Sequence, residues 1–140
     1  MKKITPTGLD LMAQSGMPTM TLHLYSSTGA PDDAGTFGST DFTEASTNDG
    51  YASVTLASSG WSYSSTGGLT TSGYPEVIAT YAQQDFTFTS TGARTMYGWY
   101  TQSTGDAYLW AEQFSPAASL PSGSGTISIN PRHVFGVQKS

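Results

Sequence analysis

The stretch DFTFTSTGARTMYGWYTQSTGDAYLWAEQF, residues 85–114, holds three runs of β-branched and aromatic residues parted by two turn signals. Phe86 and Phe88 alternate with Asp85, Thr87 and Thr89, the period of a half-buried strand. Ser90-Thr91-Gly92 breaks the pattern, and Thr95 to Thr101 resumes it with Met96, Tyr97, Trp99 and Tyr100. Ser103-Thr104-Gly105-Asp106 breaks it again before Tyr108-Leu109-Trp110-Ala111-Glu112-Gln113-Phe114. Glycine in such short connections supplies the positive φ that tight hairpins need. The reading predicts a three-stranded antiparallel meander. It carries two of the three Trp residues, so a core is expected around it.

Outward from this segment the pattern repeats. Pro18 to Tyr25 alternates Met20, Leu22 and Leu24 against Thr21, His23 and Tyr25, the latter set reading as the polar face. A polar loop, Ser26 to Thr40, leads to Asp41-Phe42-Thr43-Glu44-Ala45, and Asn48-Asp49-Gly50 signals a turn before Tyr51 to Leu56. Ser64 to Gly73 reads as a soft connection, Glu76 to Tyr81 as a strand entering the meander, and Ser115 to Gly125 as a loop. Thr126 to Asn130 turns Ile127 and Ile129 inward, and Val134 to Val137 completes the set. About eight short strands with frequent turn signals predict an all-β chain, a single-domain antiparallel β-sandwich or jelly-roll-like barrel. The expected core is Leu22, Leu24, Val54, Leu56, Ile78, Phe86, Phe88, Ile127 and Ile129, with Trp99 or Trp110 among them.

One short helix is expected ahead of the strands. In Thr5 to Gln14, Leu9, Met12 and Ala13 share a helical face, Thr7 is placed to cap it and Gly16 to end it. Two turns are too few to stand alone, so this segment must dock on something. The chain thus divides into an N-terminal arm, residues 1–17, and a β-sandwich domain, residues 18–140. Within the arm Lys2, Lys3, Ile4, Leu9, Leu11 and Met12 are the candidate partner-binding residues: apolar side chains for contact, lysines for an acidic partner.

Composition narrows the function. Only 11% of the 140 residues are charged, against roughly 25% in ordinary globular domains. Lys2, Lys3, Arg132 and Lys139 sit near the ends, and Arg94 is the sole cation between Lys3 and Arg132. With a net charge of −5 and no basic stripe, nucleic-acid binding is not expected. There is no Cys, which excludes disulfides and thiolate metal sites. No stretch has the apolar length of a membrane span and the start lacks a signal-peptide core, so no membrane association is expected and the chain reads as cytoplasmic or released by lysis.

A search for chemistry finds no Gly-x-Ser-x-Gly elbow, phosphate-binding loop or thiol nucleophile, and no enzyme is expected. Asp32, Asp33, Asp49 and Asp106 read as exposed loop carboxylates. Asp41 and Glu44, with Asn48 or Asp49, hold oxygens suited to calcium, but their spacing matches no standard calcium loop, and a cap or turn role is expected instead. His23 and His133 stand far apart and read as non-ligands, so neither metal nor cofactor is expected. The aromatics Trp61, Tyr63, Tyr74, Tyr97, Trp99, Tyr100, Tyr108 and Trp110 either fill the sandwich or, if exposed, stack sugars. Exposure of Trp61, Trp99 or Trp110 would mark a carbohydrate-binding module.

Taken together, Asp41-Phe42-Thr43-Glu44-Ala45, Gly50-Tyr51-Ala52, Tyr97-Gly98-Trp99-Tyr100 and Leu109-Trp110-Ala111-Glu112-Gln113-Phe114 give the chain a resemblance to small virion structural proteins of tailed bacteriophages. The resemblance extends over nearly the whole chain and takes in head cement (decoration) proteins and tail-associated proteins. It implies a β-rich assembly protein present in many copies. The expectation is a capsid cement protein on the outer surface of the head, bound to the major capsid protein as a homotrimer. It would reside in the virion, and in the host cytoplasm during assembly. A tail or fibre component is the alternative within assembly, and a carbohydrate-binding β-sandwich module the alternative outside it.

Overall fold

Strand β2, Met20–Tyr25, sits inside the largest sheet and is almost wholly buried, on both faces. In the computed structural model, which describes residues 2–4, 16–28, 37–69, 75–89 and 92–136, the other strands are laid down around it. They are β1 (Lys2–Ile4), β3 (Val54–Leu56), β4 (Ser62–Leu69), β5 (Pro75–Thr80), β6 (Gln84–Phe88), β7 (Arg94–Ser103), β8 (Tyr108–Leu120), β9 (Gly125–Ile129) and β10 (Arg132–Gly136). One layer is a five-stranded sheet in the order β1-β8-β7-β2-β3. The facing layer consists of β10-β5-β4 and the pair β6-β9. All pairings are antiparallel, and the chain is an all-β sandwich.

The facing layer is a single ribbon with a break in it. β5 pairs with β10 up to Thr80↔Arg132, and β6 pairs with β9 from Gln84↔Ile129. Between them Tyr81 N–H donates to the Pro131 carbonyl at 2.9 Å. Pro131 has no N–H to return, so the ladder cannot run on unbroken through this point.

This arrangement corrects the predicted meander. β7 and β8 form the expected hairpin, but β6 leaves it and crosses to β9 in the opposite layer. Alternation alone makes Phe86 and Phe88 point one way; it does not say which sheet the strand joins. β5 likewise joins β4 and β10, not the meander. The soft stretch from Ser64 is strand as far as Leu69, and the loop expected from Ser115 is strand as far as Leu120. β8 thus spans 13 residues, carrying a cis Ser115–Pro116 bond and a register shift against β7 between Met96 and Gly98. Strands predominate among the described residues, joined by two short 3-10 turns, and the segment Thr5–Gln14, expected as a helix, lies outside the described residues.

Turn chemistry is partly as read. Thr47–Asp49 forms a 3-10 turn with Ser46 as its cap and Gly50 at φ 78°, where an added methyl would strike Thr89. In the β7–β8 turn the left-handed residue is Asp106, at φ 63°, not the neighbouring Gly105. Asp tolerates this region better than most side chains. Ser103 Oγ accepts the N–H groups of Gly105 and Ala107 and closes the turn.

The main core lies between the layers. Leu22, Leu24, Leu56, Phe86, Phe88, Trp99, Trp110, Ile127 and Ile129 are all in it, with Val54 packed at its border. Ile78 is the exception. The neighbouring Ala79 is fully buried, while Ile78 is only half-buried. A continuous apolar run gives no clue as to which parity faces in. Trp110 ties the layers together, edge-on to Trp61 at 6.1 Å and stacked on His133 at 5.3 Å.

Candidate functional site

The opposite face of the five-stranded sheet holds a second cluster that the alternation pattern assigned to solvent. Tyr25, Phe37, Phe42, Tyr100 and Ala111 are buried there, with Tyr97 and Tyr108 packed against them. His23 of β2 belongs to it, 9% exposed and stacked flat on Tyr100 at 4.8 Å. Phe42 stacks on Tyr100 at 5.0 Å and lies tilted against Tyr25 at 4.7 Å, and Phe37 meets Phe42 edge-on at 5.6 Å. The segment 37–45 is therefore a strap laid over the sheet.

Backbone bonds fasten the strap to the end of β2. Ser26 N–H donates to the Thr43 carbonyl at 2.8 Å and Ala45 N–H to the Leu24 carbonyl at 2.9 Å. β3 pairs with β2 only from Met20 to Leu22, so the strap takes over the same edge where β3 stops. The Leu24 N–H falls in this region and finds the Tyr51 hydroxyl at 3.0 Å.

Glu44 locks the arrangement. Its Oε1 lies 2.8 Å from His23 Nδ1 and accepts the Tyr51 hydroxyl at 3.2 Å. Tyr51 thereby uses both its lone pair and its proton, and Nδ1, facing a carboxylate oxygen, carries the imidazole proton. The Tyr51 ring itself stands in the main core, 5.8 Å from both Phe86 and Phe88. One residue thus joins the two clusters. The Glu44 side chain keeps 40% exposure, against 11% for that of His23.

Burial shapes the acid–base character of these phenols. It pushes Tyr25 up to about 12. Tyr51 and Tyr100 rise further, first through burial and then through the nearby Glu44 charge. Tyr108 is raised by burial, with Glu44, Asp106 and Asp41 adding to the effect. All four stay neutral at ordinary pH and act as packing and hydrogen-bonding groups. With its ring covered by Tyr100 and its Nδ1 held by Glu44, His23 is a clamp.

The other acidic candidates go to separate partners. Asp41 Oδ2 accepts the Gly38 N–H at 2.7 Å and closes the turn of the strap, the cap role expected of it. Asp49 comes within 3.7 Å of Arg94, whose guanidinium also lies 5.2 Å from the Phe88 ring centre. Among the described residues no group of three or more His, Asp or Glu is placed to hold a metal ion. An open depression at the far end of the β7–β8 hairpin is lined by Ala93, Arg94, Thr95, Ser119, Leu120 and Pro121 and brings no carboxylate or histidine together.

The three Trp residues are buried: Trp61 is 6% exposed, Trp99 3% and Trp110 2%. Lys2, Lys3 and Ile4 fall on β1, opposite Glu112, Ala111 and Trp110, while Leu9, Leu11 and Met12 lie outside the described residues. The sequence reading missed His23, Tyr51 and the strap. A usable signal was present: the supposedly polar face of β2 carries His23 and Tyr25, large rings poorly suited to open solvent. The chain matches no family model, no curated protein and no solved structure.

Proposed function

We propose that this chain is a non-enzymatic virion structural protein of a tailed bacteriophage, a cement protein bound to the outer surface of the head. The observation that carries the reading is a convergence. The four sequence pieces behind the resemblance fall in two stretches, residues 41–52 and 97–114, that are far apart along the chain but adjacent in space. Phe42 stacks on Tyr100, Tyr51 bonds Glu44, and Gly98 and Trp99 pair with Gln113 and Glu112. The resemblance therefore covers one packed unit, the strap and the sheet beneath it. Its histidine and two of its carboxylates are taken up by internal contacts, which suits a scaffold better than a reactive centre. A sparsely charged surface rich in Ser and Thr fits broad, polar-rimmed contacts with a protein lattice.

Burial of Trp61, Trp99 and Trp110 removes the stacking platforms that the carbohydrate-binding alternative required. The test is to purify particles of the phage that encodes the chain, identify it among their proteins and locate it in a reconstruction. Many copies on the head exterior is the expected result. Density on the tail or fibre moves the assignment there, and absence from the particle removes the virion reading altogether.

A further inference from the structure

We draw no further inference here: the strongest candidate, the surface patch between the strap and the β7–β8 turn where Asp41, Glu44 and Asp106 surround Tyr108, is an acidic cluster with no second feature among the described residues that points to a ligand, and its Asp41 and Glu44 are already taken up by Gly38, His23 and Tyr51.

Discussion

Glu44 shows how much one side chain can organise. Its Oε1 receives both His23 and Tyr51, so Glu44→Ala leaves two donors facing each other with no acceptor. Because the carboxylate is partly exposed, water replaces some of what is lost, and a destabilisation of about 1–2 kcal/mol is expected from the urea midpoint. A change within error would mean that the strap is held by its aromatic rings alone. Gly98 is the second sensitive position. Its missing side chain makes room for the Tyr25 ring, and an added methyl would meet both that ring and the Glu112 carbonyl. Gly98→Ala should cost about 1–3 kcal/mol through overpacking. Full retention of the melting temperature would argue against the close approach. Neither role is visible from spacing: Glu44 sits 21 residues from His23, and Gly98 sits in an aromatic run where strand propensity disfavours it.

The strands separate what periodicity can say from what it cannot. β2, β6, β7 and β9 were legible because alternating apolar residues mark the half-buried face. The partner of β6 was not, since Phe86 and Phe88 fit equally well beside β7 or across the core opposite β2. The bulge between Met96 and Gly98 adds a further reversal. It sends Met96 into the main core and Tyr97 to the outer cluster, breaking the simple parity of β7. The inward direction of β6 is nevertheless secure enough to test. Phe88 is fully buried against Tyr51 and Arg94, so Phe88→Ala should cost about 3–5 kcal/mol in chemical denaturation. A cost below about 1 kcal/mol would contradict its place in the core.

The whole molecule behaves as one body because its main cluster draws on both layers, from Leu22 and Trp110 on one side to Ala79, Phe86 and Ile129 on the other. Folded-state values for Tyr25, Tyr51 and Tyr100 lie above the unfolded value near 10, since burial favours the neutral phenol. Their contribution is complete below about pH 10 and is lost as pH rises towards the folded values, because the unfolded chain ionises first. Tyrosinate absorbance and far-UV circular dichroism should therefore change together in a cooperative alkaline transition. Tyr25→Phe should soften it, and also spare a buried hydroxyl that has no hydrogen-bond partner among the described residues. Ionisation of these phenols without loss of structure would show that they are less enclosed than the geometry indicates. The all-β class, the punctuation by turns and most of the inner core are properties of local sequence, because strand period and turn residues act over a few neighbours. Sheet membership, the break at Pro131, the strap and the His23–Glu44–Tyr51 junction rest on contacts between distant segments. Those contacts are selected by complementary shape and hydrogen bonding once the layers meet, and no window along the chain contains them.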